Sequence, residues 1–476
     1  MSEHDVVVLG AGTGGYATAL RAADLGLSVA LVERELVGGT CLHRGCIPTK
    51  AMLHAAELAD GVAEGQRWGV PATAGPIDMA QLLRARDDIV GRNFKGLEAH
   101  LAREGVEVVR GQGRLQDART VALDGGEPLR ARRAVVLATG SVPKSLPDLP
   151  VDGERVLTSD EALRLERVPA SAVVLGAGSV GAEFASLWRS LGAEVTLVEA
   201  LPTLLPLEDP DCGRELARAF RQRGITVRTA TRVTGVEAGP AGVRVSVAGA
   251  GEGEGPAVLE AELLLVATGR APVTAGLGYE EAGVTVRDGY VVPRSWETLE
   301  TDVPGVYVVG DLLPPPALAL AHASFAEGLL VAEVIAGRPS APIDYAGVPR
   351  ATYSSPEVAS VGLTEPEARA RGLDVVTTRM PFAGVAKGLI HGQGGLVKVV
   401  AAPDGQVVGI HLVGARVTEL IAEAMLIYNW EGAAADVARL IHPHPTLSEA
   451  IGEAHLTLAG RRLHQAKPSR PRAATP

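Results

Sequence analysis

Apolar residues in this chain come in short unbroken runs that stop at glycine. Val6-Val7-Val8-Leu9 leads into Gly10-Ala11-Gly12-Thr13-Gly14-Gly15, and a second run over 27–32 ends on Glu33. Residues 172–175 lead into Gly176-Ala177-Gly178-Ser179-Val180-Gly181, and a strand pattern over 194–198, with Thr196 between apolar residues, ends on Glu199. Continuous apolar runs bounded by turn residues predict strands buried on both faces, as in a parallel sheet between helices. The interval from first glycine to closing acid is 23 residues in both copies, 10 to 33 and 176 to 199. The chain therefore repeats one unit: strand, Gly-rich turn, helix, strand, acid.

Each glycine in the unit has a physical task. The first (Gly10, Gly176) permits the tight turn, and the second (Gly12, Gly178) lets backbone approach a pyrophosphate. The third (Gly15, Gly181) lets helix and strand pack closely, while the acid (Glu33, Glu199) accepts hydrogen bonds from a ribose. One such turn is weak evidence; two in matched context predict at least one dinucleotide site. The alternative is two Gly-rich turns in an ordinary doubly wound sheet.

Other punctuation agrees. Residues 135–138 and 264–267 are buried-strand patterns that end in Thr139-Gly140-Ser141 and Thr268-Gly269-Arg270, and the strand over 306–309 ends at Gly310-Asp311. Residues 238–258 are Gly-rich and predict a loose hairpin. From about Gly347 the pattern changes to strands, two long helical stretches and a His/Pro segment, which predicts a separate C-terminal domain. The last sixteen residues carry five basic side chains and three prolines, the composition of a disordered tail. The expected division is 1–149, 150–272, 273–345 returning to the first region, 346–460, and the tail 461–476.

At 476 residues there is room for several cores, and 46% hydrophobic with 21% charged residues is ordinary for a globular protein. A net charge of -11 disfavours nonspecific nucleic-acid binding. No apolar run approaches membrane-spanning length, and the N-terminus leaves no room for a signal peptide. Three cysteines in so long a chain do not make a secreted disulfide framework, so a cytoplasmic location is expected.

Two of those cysteines lie in Gly39-Thr40-Cys41-Leu42-His43-Arg44-Gly45-Cys46-Ile47-Pro48-Thr49-Lys50. A bond across so short a loop removes little chain entropy, so a structural staple explains it poorly and a redox pair explains it well. Cys41-x-His43-x-x-Cys46 also suggests a metal site, but no second Cys/His cluster follows at zinc-like spacing, and no metal is expected. Cys212 reads as an incidental free thiol.

Together these motifs resemble the flavoprotein disulfide reductases, the class I pyridine nucleotide-disulfide oxidoreductase family, and most closely their dihydrolipoyl dehydrogenase branch. Also matching are Gly176-x-Gly178-x-x-Gly181-x-Glu183, Val303-Pro304-Gly305-Val306-Tyr307, Ala321-His322 with Glu327-Gly328, and His444-Pro445-Thr446-Leu447-Ser448-Glu449. They occur in family order from residue 6 to about 460. The resemblance implies an α/β fold with two Rossmann-like domains, for FAD and NAD, and a C-terminal α+β dimerisation domain. It implies FAD in the first site, with Glu33 on the adenosine ribose and Asp311 on the ribityl chain. Thr40, Gly113, Thr139, Gly140, Ser141 and Ala321 would line that channel. NAD would occupy the second site, near Gly269. Glu199 favours NAD over NADP physically, because a carboxylate there repels a 2'-phosphate.

The same resemblance makes Cys41 the thiol that exchanges with substrate and Cys46 the one facing the flavin. Lys50 would sit near the flavin, paired with Glu183; without the family these read as a surface lysine and a first-turn helix acid. Thiol exchange needs a base, since little of a free thiol is ionised at neutral pH. His444 is the candidate, oriented by Glu449 and supplied by the partner of a homodimer with a shared active site. Thr446-x-x-Glu449 is equally a helix capping box, and both readings can hold. His442 reads as a neighbour in the turn. The expected reaction is oxidation of protein-bound dihydrolipoyl groups to lipoyl with NAD as acceptor. Expected partners are lipoyl domains of 2-oxo acid dehydrogenase or glycine cleavage complexes. Rivals are a sister disulfide reductase and a flavin-bearing redox-sensing subunit without turnover. The segment 311–322, with Pro314-Pro315-Pro316, is longer than the family pattern and leaves its flavin contacts open.

Overall fold

The computed structural model describes residues 2–147, 149–249 and 256–465. Its first sheet has seven strands. Glu107–Arg110, Val29–Glu33, Ser2–Leu9 and Leu129–Leu137 lie side by side in parallel, and Val306–Val308 extends the parallel part beside Leu129–Leu137. Thr120–Leu123 and Gly113–Asp117 add an antiparallel edge. Val6, Val7 and Val8 are fully buried, which is why their run carries no polar alternation.

The second sheet has five parallel strands in the order Thr226–Arg228, Glu194–Val198, Ser171–Leu175, Leu263–Val266, Val156–Leu157. The fold is thus α/β with two Rossmann-like units, as the repeat implied. The Gly-rich segment expected as a hairpin pairs as one, Gly242–Gly249 antiparallel to Ala257–Ala261, and the preceding strand Thr231–Gly239 extends it to a three-stranded antiparallel meander. Val243, Val245 and Val247 alternate inward onto the second sheet, and Gly242 with φ +130 closes the turn. The period-two pattern was present but masked by the surrounding glycines, and residues 250–255 lie outside the described residues.

The C-terminal region is a five-stranded antiparallel sheet, Arg350–Thr352, Glu357–Gly362, Val407–Gly414, Leu396–Ala401 and Val376–Pro381 in spatial order. Helices Val417–Asn429 and Glu449–Leu458 share a core with this sheet. Residues 461–465 of the expected tail return to this domain: His464 bonds Glu453 at 2.7 Å, and Gln465 bonds Thr378 and Thr457. Residues 466–476 lie outside the described residues. Among the described residues no helix is long and apolar enough to cross a membrane.

Candidate active site

The two Gly-rich turns are the same object built twice. Gly10 has φ +103 and a Cβ there would stand 2.3 Å from Ala138 O; for Gly176 the values are φ +98 and 2.4 Å from Ala267 O. A Cβ on the third glycine would meet the carbonyl of the first, at 1.9 Å for Gly15 and 1.8 Å for Gly181. The second glycines, Gly12 and Gly178, have nothing within 4 Å of that position. They open the helices Thr13–Asp24 and Ser179–Ser190 with no side-chain cap, so the first-turn N–H groups face open space. Each turn thus carries glycine where protein crowds it and leaves room for a close backbone approach at the second glycine.

Each acid is also placed alike. Glu33 accepts from Ala11 N at 2.8 Å and Glu35 N at 2.8 Å; Glu199 accepts from Ala177 N at 2.7 Å and Leu201 N at 2.8 Å. The carboxylates are held at the lip of their cradles with lone pairs to spare for hydroxyl donors.

From the first cradle a groove runs past Glu33, Thr40, Thr139, Gly140 and Ser141, and a second hollow beside it is lined by Gly10, Glu33, Gly113 and Thr139. Thr139 donates to Val273 O at 2.7 Å. The Ser141 hydroxyl donates to Asp311, while Arg270 Nε and Nη2 bond Ser141 Oγ and O at 2.7 and 2.8 Å. Arg270 lies beside Gly269, so one guanidinium joins the Thr-Gly turns of both units to Asp311. Glu327, inside helix Ala321–Ile335, is fully buried; it accepts from Gly310 N at 2.6 Å and from Tyr345 OH at 3.1 Å. Burial pushes its carboxyl up to about 7, with the two hydrogen bonds opposing and Asp311 adding to the rise.

The cysteines sit at a helix junction. Cys41 lies in Gly39–Arg44 and Cys46 opens Cys46–Gly65, which carries Lys50 one turn further on. Both side chains are partly buried. The hydrogen bond from Cys41 lowers the Cys46 thiol to about 7 against burial, and the charge of Lys50 helps; the same contact and burial push Cys41 up. The dithiol therefore ionises first at Cys46. Lys50 Nζ lies 3.0 and 2.9 Å from the two oxygens of Glu183 and 4.6 Å from the centre of the Tyr353 ring. Tyr353 N donates to Glu183 at 3.0 Å. Tyr353 was missed in the sequence: it reads only as part of a strand end. Cys212 is fully buried and burial raises its thiol far above the usual range.

His444 Nδ1 bonds Glu449 Oε1 at 2.8 Å, while Glu449 Oε2 accepts from Thr446 N at 2.8 Å. The carboxylate serves histidine and backbone at once. The capping box is only half formed, because the helix starts at Glu449 with Ser448 as its cap and the Thr446 hydroxyl turns to Pro443 O. The His444 side chain is 72% exposed and, among the described residues, bonds neither cysteine of its own chain. His442 is paired with Glu423 at 2.7 Å and half-buried. Among the described residues no cluster of three or more His, Cys, Asp or Glu is arranged to hold a metal.

Two Gly-rich cradles, a thiolate-forming cysteine pair and an antiparallel C-terminal domain define a flavin-linked disulfide oxidoreductase. The chain belongs to the pyridine nucleotide-disulphide oxidoreductase family, whose pattern matches residues 4–328, with the family's dimerisation domain over 348–455. It is 38% identical to a dihydrolipoyl dehydrogenase of Bacillus subtilis, over 97% of this chain and 99% of that protein. With the dihydrolipoyl dehydrogenase of Thermus scotoductus it shares 40%, over 98% and 99%. LpdA of Mycobacterium tuberculosis superposes with a TM-score of 0.85 at 27% identity, covering 96% of this chain and all of that one. The family uses FAD and NAD, and the uncrowded backbone at Gly12 and Gly178 fits two dinucleotides.

Proposed function

We propose that the chain oxidises protein-bound dihydrolipoyl groups to lipoyl groups and delivers the electrons to NAD. The observation that carries this reading is geometric: Cys41 and Cys46 meet at one helix junction, the Cys46 helix carries the Lys50–Glu183 ion pair, and the two Gly-rich cradles belong to the same chain. The relatives named dihydrolipoyl dehydrogenase support the substrate.

A substrate thiolate attacks Sγ of Cys41 in the oxidised pair, breaking the Cys41–Cys46 bond and releasing Cys46 as thiolate. The second substrate thiol gives its proton to His444 and attacks the substrate sulfur now bound to Cys41. The lipoyl disulfide forms, and Cys41 leaves and takes the proton back from His444. Substrate has lost two electrons and the cysteine pair has gained them. Glu449 fixes the imidazole and stabilises its charged form. Lys50 holds the Cys46 thiolate, and Glu183 and Tyr353 hold Lys50. Glu33, Ser141 and Asp311 would hold FAD, which would supply the two-electron chemistry between this dithiol and NAD at the second cradle. Because His444 is exposed and reaches neither cysteine of its own chain, the complete site takes two copies. We place the homodimer in the cytoplasm, with lipoyl domains of a 2-oxo acid dehydrogenase or glycine cleavage complex as partners.

The test is NAD reduction by dihydrolipoamide in the flavin-loaded protein. Turnover is expected, and Cys41→Ser should abolish it while flavin stays bound. A flavin-loaded protein without turnover would sink the reading and leave the redox-sensor alternative.

A further inference from the structure

One buried ammonium has no part in the chemistry above. Lys398, on strand Leu396–Ala401, is 2% exposed. Its Nζ lies 2.9 and 3.0 Å from the oxygens of Asp209, 2.8 Å from Asp211 and 2.8 Å from Glu365. Asp209 is fully buried; it caps helix Pro210–Gln222 through Asp211 N at 2.9 Å and accepts Glu365 N at 3.1 Å. One residue earlier, Glu208 receives Arg350 Nε at 3.1 Å and the Ser360 hydroxyl. Burial works against the charge of Lys398, yet the three carboxylates outweigh it and raise its pKa.

Residues 208–211 are therefore fastened to four elements of the C-terminal domain. The same connection starts at Glu199, whose carboxylate holds Leu201 N at 2.8 Å, and midway Leu205 N donates to Ala177 O at 2.9 Å. Ala177 lies in the second Gly-rich turn. The segment that forms the wall of the second cradle thus has one end at the ribose acid and the other on Lys398.

We propose that Lys398, acting through Asp209, is a positioning residue for the second nucleotide site, so that the C-terminal domain sets nucleotide affinity. This rests on Glu199 being the ribose acid of that site. Small displacements suffice, since affinity depends on how well the site is preorganised and each ~1.4 kcal/mol of lost contact is tenfold. A purely structural cluster would affect unfolding alone.

The test uses the flavin-loaded protein and NADH or NADPH titrated directly. In the pair variant Asp209→Asn with Lys398→Met, which leaves no lone charge at position 209, NADH affinity should fall about tenfold or more. The rate at saturating NAD should stay within about twofold, and the long-wavelength absorption after dithiol reduction should be unchanged. Wild-type affinity in that variant, with only a lowered Tm, overturns the proposal. Should the pair variant not fold, Asp209→Asn alone keeps the cap and the other lysine partners. It should weaken NADH about threefold, and an unchanged affinity there overturns the proposal equally. If the unmodified protein prefers NADPH, the NAD reading fails, while the tether is still read from loss of NADPH affinity in the same variants.

Discussion

Lys50 and Glu183, 133 residues apart, meet in a two-oxygen ion pair at 2.9 and 3.0 Å that joins the Cys46 helix to the helix of the second cradle. The carboxylate is 6% exposed and takes a further hydrogen bond from Tyr353 N. A buried carboxylate of this kind keeps its cation in one place, and that place is beside the thiolate-forming sulfur.

Lys50→Met should therefore raise the pH at which Cys46 ionises. The charged and titratable groups around the sulfur are Cys41, Lys50, Glu183 and Tyr16. Removing the only cation among them disfavours the thiolate, by about one pH unit or more. The check is the iodoacetamide reaction rate of the reduced protein against pH. Its midpoint should stand near 7 in the parent protein, where Cys46 is lowered to about 7, and higher in the variant. An unmoved midpoint would show that the Cys41 hydrogen bond alone sets the ionisation.

Glu449 and His444 should separate by degree. His444→Gln removes the base and should lower dihydrolipoamide turnover by roughly 10²–10⁴-fold. Glu449→Gln leaves the imidazole but weakens its orientation and the hold on Thr446 N, so a smaller loss is expected, about tenfold. Flavin reduction by NADH should continue in both. Equal losses would mean that Glu449 acts by holding the turn in shape.

Glu199→Gln should shift the acceptor preference. Glu199 is 8% exposed, and its carboxylate is held at the second Gly-rich turn by Ala177 N and Leu201 N. Neutralising it removes the repulsion against a 2'-phosphate, so the ratio of kcat/KM for NADP to NAD should rise about tenfold, ~1.4 kcal/mol. Steady-state kinetics with both nucleotides give the answer; a constant ratio would place the discrimination elsewhere.

How far the sequence reached follows from the range of each interaction. The cradles were legible because their glycines answer to local backbone: Gly10 and Gly15 fail as any other residue within one turn. The acids were legible by spacing, since Glu33 and Glu199 end the next strand. The partners of Lys50 and Lys398 were not legible from local pattern. Asp209 lies 189 residues from Lys398, and a lysine inside the run Val397-Lys398-Val399 looks like an ordinary outward strand position. Glu183 was paired with Lys50 only through the family resemblance. Tyr353 carries no local signal, and Glu327 stood only as part of a motif with no role, because a ring face and a buried carboxyl are created only by tertiary packing. The hairpin after Gly239 was legible, but the strand Thr231–Gly239 that makes it a meander was not, and glycine density hid the alternation of three valines in its partner.

Glu327 gives the protein a pH-dependent stability. Its carboxyl is fully buried between Gly310 N and Tyr345 OH, and burial raises it from the ordinary carboxylate range to about 7. A carboxyl raised in the folded state binds its proton more tightly folded than unfolded. Its contribution is therefore complete below the unfolded value near 4.5 and is lost as pH rises through about 7. The size is of order 3 kcal/mol, from a shift of between two and three pH units. Glu327→Gln keeps an acceptor for one of the two donors and has no proton to lose. Thermal unfolding of the flavin-loaded protein from pH 5 to 8 should show Tm of the parent falling relative to that of the variant, with the gap closing or reversing near pH 8. Because Gly310 precedes Asp311, the variant should also weaken flavin retention at pH 5 less than a change at Asp311 itself does. Parallel Tm curves across that range would mean that Glu327 stays charged in the folded protein.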